Sequence, residues 1–390
     1  MIALFFLAFL LLIAAEVVKG LSANGTPPVL QRLTWQLDLA WVMWRNILYI
    51  RVALLAALFF FAGRAWPDFG LGAALGTVVF GAVWYGVYHL FNRFWVGRVK
   101  FPPISQMVFE GKDENQVPGD IQVLGVDYNG QRLAVPLNMI NFHHQMSVTV
   151  GGKPMWFTYC GLCRSGRVYD AVVDGRPLDF TLVGAITFNA VFQDNQTGSW
   201  WRQELGEAAK GPLAGQALTD IDFEQMSLDA WYEKYPDSTA LQYDPKFLRP
   251  YNFAAKLLSY QTSWPAWARH ESPPLVIGVE IGAEARGYDF GQLQSRGMVQ
   301  DEVGGKPLLV AAESEGFTGF VYDRTVKGEA LDFEPDDGGY KDTKTGSHWD
   351  KFGRCTQGDL KGEALERVQN YQQFVRSWIE FHSHTTFYSF

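Results

Sequence analysis

The sequence predicts a mainly β (α+β) soluble region built from two tandem related β-rich repeats, preceded by N-terminal transmembrane helices. Three observations carry this. The first hundred residues are apolar runs with almost no acidic side chains. Beyond Phe101 the chain breaks into short β-rich runs separated by Asn129-Gly130, Gly151-Gly152 and Asp174-Gly175, dipeptides that supply the positive φ of hairpin turns. Short words also recur 153 residues apart: GGKP at Gly151–Pro154 and Gly304–Pro307, VYD at Val168–Asp170 and Val321–Asp323, LDF at Leu178–Phe180 and Leu331–Phe333.

Residues 1–100 form the membrane region. Ile2–Val18 is apolar apart from Glu16, and Leu71–Phe91 is long enough to cross a bilayer as a helix. Ile47–Gly63 is a third candidate, interrupted by Arg51 near one end, where the side chain could snorkel to the headgroups. The first run lacks a basic n-region and reads as a retained span, not a cleaved signal. Val29–Trp44, rich in Leu and Trp, is expected to lie along the interface as an amphipathic helix. Counting Lys19, Arg32, Arg45, Arg93, Arg98 and Lys100 against Arg64, the positive-inside rule puts the soluble region in the cytoplasm.

Hydrophobic residues make up 48% of the 390 and aromatics 15%, which excludes a disordered chain and supplies more than one core. A net charge of −8, with no basic stripe after residue 100, argues against a nucleic-acid partner. The first repeat spans 101–242 and the second 275–390, with a linker rich in Pro and aromatics at 243–274. The displacement shortens to 148 between TGSWW (Thr197–Trp201) and TGSHW (Thr345–Trp349). It becomes 147 between LAGQAL (Leu213–Leu218) and LKGEAL (Leu360–Leu365), and between Trp231 and Trp378. Residues are thus lost at loops, as in a duplicated fold. Ser227–Lys234 and Tyr371–Phe381 read as short helices, and Trp201 and Trp349 as core residues common to both repeats.

The run NFHHQMSVTVGGKPMWFTYCGLCRSGRVYD (Asn141–Asp170), with QTGSWWRQ, GPLAGQAL and WYEKYPDSTAL after it, resembles the bacterial and archaeal family of unknown function DUF3179. The resemblance covers roughly Asp120–Ser389, and the TYCxLC box is its most specific part. It implies an exported or membrane-anchored protein with the soluble region in the periplasm, against the charge count. It also implies a histidine at position 143, and it supplies no reaction.

Only the first repeat carries the Cys160/Cys163 pair; Glu313 and Gly316 stand at the matching places. Two thiolates at this spacing can close on a metal or on each other. His143 is the best third ligand. His144 next to it should face away if the segment is an extended strand. Copper or zinc is the first guess, with Met146 and Met155 nearby for a soft ion, though methionine is more often core filler. Arg164 occupies the histidine position of C-x-x-C-H, so c-type haem is disfavoured, and no P-loop or G-x-G-x-x-G supports a nucleotide. Trp200, Arg164, Arg202 and His144 are candidate pocket residues. Cys355 reads as a free thiol in a loop. The HSH run His382–His384 is a weaker chelate, read as an extended strand.

The function read from the sequence is a membrane-anchored protein whose first repeat carries a Cys/His transition-metal or thiol-redox site, with a membrane-protein or redox partner. The alternative is a non-enzymatic binding or scaffold subunit of a membrane complex, with a structural disulfide.

Overall fold

The computed structural model describes residues 1–24, 31, 33–161, 163–258 and 275–390. The protein is β-rich, with three apolar helices at its N-terminus. It divides into two compact units. One comprises Met1–Pro102, Leu178–Arg202 and Glu207–Gln216; the other comprises Pro103–Pro177, Gln203–Gly206 and Ala217–Phe390.

In the first unit, α1 (Ile2–Asn24), α2 (Gln36–Ala65) and α3 (Leu71–His89) are each long and apolar enough to cross a membrane, with mean hydropathy of 2.5, 1.9 and 1.5 over their spans. α2 starts at Gln36, so Gln36–Trp44 of the Leu- and Trp-rich stretch forms its first turns; residues 25–30 and 32, Val29, Leu30 and Arg32 of that stretch among them, lie outside the described residues. Arg51 does not snorkel. Its Nε and Nη2 donate to the Glu16 carboxylate at 2.5 and 2.8 Å, and Asn92, in the π-helical turn Leu90–Phe94, donates to Glu16 at 2.9 Å. An unpaired carboxylate in hydrocarbon is costly, and this pairing removes the exposed charge. Lys19 Nζ donates to the Asn92 amide oxygen at 2.6 Å.

The same unit holds an antiparallel sheet of Phe180–Ile186, Asn189–Asp194, Trp200–Arg202 and Glu207–Lys210 in sequential order. One face buries Val183, Ile186, Val191 and Trp200 against Ala23, Leu37 and Ala40. Gly184 is obligatory, because a Cβ there would stand 1.7 Å from the Ala23 carbonyl oxygen.

The second unit contains a five-stranded sheet in the order Phe109–Glu110, Thr239–Leu241, Gln131–Pro136, Gln122–Tyr128, Glu224–Ser227. Beside it runs the antiparallel set Thr219–Asp220, Ser165–Asp170, Lys153–Cys160, Gln145–Val150. After residue 275 come Asn370–Phe374, Leu275–Ile281, Glu284–Asp289, Thr386–Phe387; then Met298–Val303, Lys306–Ala312, Gly319–Asp323, Glu366–Arg367; then Phe333–Asp336, Gly339–Asp342, His348–Asp350, Cys355–Gln357. One core joins Val123, Met226 and Trp231 to Leu309, Phe320, Tyr322 and Trp349. Trp231 and Trp378 are fully buried, each against a strand glycine, Gly125 and Gly278, where a Cβ would lie 2.2 and 2.6 Å from the indole.

The TGS-x-W word is a turn wrapped around a buried carboxylate. Asp194 accepts from Thr197 N (2.5 Å), Ser199 N (3.1 Å) and Trp201 Nε1 (2.8 Å). Asp342 accepts from Thr345 N (2.6 Å), Ser347 N (3.1 Å) and Trp349 Nε1 (3.2 Å). Trp201 and Trp349 are buried.

Helix Leu228–Lys234 starts where expected, capped by Ser227 Oγ, which accepts from Ala230 N. The second helix is shorter than expected, Val375–Phe381, because Asn370–Phe374 pairs as a strand with Leu275–Val279. In the segment read as a linker, Leu248–Leu258 is helical and buries Tyr251; residues 259–274 lie outside the described residues.

Candidate functional site

Strands Lys153–Cys160 and Ser165–Asp170 form a hairpin in which Cys160 and Ser165 are opposite one another. The turn that joins them closes with Cys163 N donating to Cys160 O at 3.1 Å, and Arg164 takes a positive φ of 56°. Cys160 and Cys163 are joined by a disulfide with a Cα–Cα distance of 5.3 Å. Both are buried, at 3% and 1% exposure. Gly161 is needed for the approach of Asn141, whose Oδ1 would lie 2.2 Å from an added Cβ.

Below the turn lies a buried charge network. Arg167 Nη2 pairs with Glu204 Oε1, and Ser165 Oγ donates to Glu204 Oε2. Arg167 Nε donates to Glu204 O and Nη1 to Gly166 O, each at 3.1 Å. Its guanidinium lies 3.8 Å from the Tyr371 ring centre. Arg164, also buried, lies 4.1 Å over the Phe317 ring, and Cys163 O accepts from Phe374 N at 3.0 Å. The turn is therefore held by strand Asn370–Phe374 and by the loop before Gly319. Burial pushes the Tyr159 and Tyr169 phenols up and lowers the Arg164 pKa; the Tyr169 hydroxyl donates to Gln203 O at 2.8 Å.

Residues 137–143 form a helix, so the expectation of an extended strand at His143 and His144 is corrected. His143 is buried on that helix, with Nε2 hydrogen-bonded to the Tyr251 hydroxyl at 2.7 Å and its ring edge-on to Phe247. His144 caps the helix in the left-handed region at φ 68°, and its N–H donates to Ile140 O. Burial, and secondarily the neighbouring His143, brings its pKa down to about 4. Among the described residues, no group of three or more His, Cys, Asp or Glu side chains is placed to hold a metal ion.

Of the pocket candidates, Arg164 and His144 belong to the second unit, Trp200 and Arg202 to the first. Trp200 is fully buried, with the Trp41 and Trp44 rings edge-on at 5.2 and 5.9 Å. Cys355 is a buried free thiol in a strand opposite Trp349, not in a loop, and burial raises its pKa. His382 and His384 follow a helix in a turn, not a strand, and His382 stacks on Trp378 at 3.8 Å.

Glu204 and Ser165 were not singled out from the sequence. The signal available is the comparison of copies: the 153 displacement sets Arg167 opposite Phe320, and the 148 displacement sets Glu204 opposite Phe352. Two charges thus stand where the other half has two phenylalanines.

The model of the family described as "Protein of unknown function (DUF3179)" matches residues 98–385. No curated protein and no solved structure matches the chain.

Proposed function

The chain belongs to the DUF3179 family, whose description names no activity, and from that premise we propose that it is a membrane-anchored binding or scaffold protein with a structural cystine. The observation that carries this is the state of the two cysteines. They are bonded to each other and almost fully buried, so neither offers a thiolate to an ion and an attacking thiol has no path to the sulfurs. The competing reading is a copper, zinc or thiol-redox centre at Cys160, Cys163 and His143. It requires reduction of the cystine and release of His143 from Tyr251.

The tandem-repeat reading is supported by strand order. Glu224–Ser227, Gln122–Tyr128, Gln131–Pro136, Thr239–Leu241 run as Asn370–Phe374, Leu275–Ile281, Glu284–Asp289, Thr386–Phe387 do. Tyr169 donates to Gln203 O, and at the matching place Tyr322 donates to Lys351 O. Arg167 and Glu204 are matched by Phe320 and Phe352, which meet edge to face at 5.9 Å. The cystine supports an oxidising, periplasmic compartment for the soluble region.

The test is mass spectrometry of the full-length protein alkylated in intact cells, with elemental analysis of the purified protein. The structural reading expects unalkylated, oxidised Cys160 and Cys163 and less than about a tenth of an equivalent of copper or zinc. Stoichiometric metal lost in Cys160→Ser/Cys163→Ser, or two alkylated cysteines, sinks it.

A further inference from the structure

In the second repeat a groove with a volume of about 440 Å³ opens between the loop at Glu313–Glu315 and the hairpin Phe333–Asp342. Phe320 and Tyr340 line it together with Glu313, Glu315, Asp336 and Lys351. Its size falls in the range of small-ligand sites.

Two observations point to what it takes. Tyr340 is 6% exposed and lines the groove, and its hydroxyl oxygen is not among the buried polar atoms left without a partner in the described residues, so it faces the open groove. A phenol hydroxyl in that position can donate or accept a hydrogen bond from a molecule in the groove. The matching residue in the first repeat, by displacement and by strand register, is Phe192: Tyr340 stands opposite Trp349 as Phe192 stands opposite Trp201. The hydroxyl is thus an addition to this half that packing does not need.

The second observation is charge. Residues 275–390 carry 19 acidic and 12 basic side chains, a net −7 of the chain's −8. In the groove, the Lys351 ammonium is already held by Glu313 at 2.9 Å and by Glu233 at 2.8 Å, and Asp336 pairs with His348. Glu315 adds a further carboxylate to the lining. Burial, then the charges of Asp350 and Glu313, keeps the Tyr340 phenol protonated. The hydroxyl oxygen can accept a hydrogen bond from an ammonium, and the Phe320 and Tyr340 rings suit the apolar part of an organic cation.

We propose that this groove binds a small organic cation carrying a primary ammonium group, recognised by Glu313 and the Tyr340 hydroxyl. This rests on the binding-protein reading and deepens it. The two fail separately, since cysteine oxidation and metal content do not depend on the groove.

The experiment is equilibrium dialysis of the full-length protein in detergent micelles against radiolabelled 1,4-diaminobutane, with 1,4-butanediol as the neutral competitor. The proposal expects saturable binding at one site per chain and no competition by the diol. Tyr340→Phe, which installs the residue found at position 192, should weaken binding about fivefold, the worth of one hydrogen bond. Glu313→Gln should weaken it at least about tenfold, as for a charged contact. Absence of saturable binding, equal competition by the diol, or unchanged affinity in Tyr340→Phe overturns it. Tyr340→Phe keeps the test decisive if Glu313→Gln disturbs folding through Lys351.

Discussion

Replacing Arg167 and Glu204 by the phenylalanines of the matching positions tests the buried network and the duplication together. The pair is nearly solvent-free, with side chains 4% and 0% exposed. Arg167→Phe alone leaves the Glu204 carboxylate buried without its paired guanidinium, and Glu204→Phe alone leaves that guanidinium without its paired carboxylate. Each single change should cost about 3–5 kcal/mol, the usual penalty for an uncompensated buried charge. The double change removes both charges and restores the apolar pair seen as Phe320 and Phe352. What is then lost is the acceptor of Ser165, about 1–2 kcal/mol, and the cation–π contact to Tyr371, about 1 kcal/mol. Apolar burial offsets part of this. The double variant should therefore be more stable than either single one, with a coupling of at least about 3 kcal/mol. At about 2–4 °C per kcal/mol, each single variant melts roughly 6–20 °C below the parent and the double within about 8 °C. The assay is thermal unfolding of the full-length protein in detergent, followed by far-UV circular dichroism. Additive losses, with the double variant the least stable, would refute both the coupling and the equivalence of the two sites.

Three further outcomes follow. Cys160→Ser/Cys163→Ser opens a loop of only four residues, so the chain-entropy estimate is about 2 kcal/mol, and denaturant midpoints with and without reductant should differ accordingly. His144, with its pKa lowered to about 4 from the usual 6.5 or so, binds fewer protons folded than unfolded. Stability is therefore complete above about pH 7 and falls as the pH drops through the window between those values, by about 1–2 kcal/mol at pH 5 for this half-buried ring. His144→Gly, which installs the residue found at the matching cap Gly297 (φ 80°), should flatten that slope in a pH series of melts, and an unchanged slope refutes the assignment. Glu16→Leu leaves Arg51 without a carboxylate and should lower the yield of folded protein from membranes, whereas Glu16→Leu/Arg51→Leu should recover it; equal losses in both would show that the pair is dispensable.

Much of the fold was legible because its signals are local. The recurring words mark positions where backbone demands a residue type: positive-φ glycines at Gly151 and Gly304, and the carboxylate-centred turns that explain TGS-x-W. The three apolar helices announced themselves by length and hydropathy. What was misread depended on pairing across the chain. His143 and His144 looked extended because a seven-residue helix carries too few turns to show a period, and Tyr371–Phe374 looked helical until Leu275–Val279 claimed it as a strand. Glu204 was invisible for the same reason: its partners Ser165 and Arg167 lie 39 and 37 residues away, and a lone glutamate beside Arg202 reads as a solvated surface.

The buried charges also bear on the conflict over orientation. The count that placed the soluble region in the cytoplasm treated Lys19 as a flanking charge, but it lies buried within α1. Lys19 donates to Asn92, whereas Arg45 is exposed on α2. Charges engaged inside the helical bundle do not report on loop topology, which is what the rule counts. With Lys19 set aside, the count keeps Arg32, Arg45, Arg93, Arg98 and Lys100 against Arg64 alone. That charge bias opposes a cystine, which a reducing cytoplasm does not usually preserve. The thermodynamic poise of a disulfide acts on every molecule for its lifetime, whereas the charge bias acts once, at insertion, and is counted over short loops and not over a long domain. The periplasmic placement proposed above therefore stands on the oxidised pair, against the charge count.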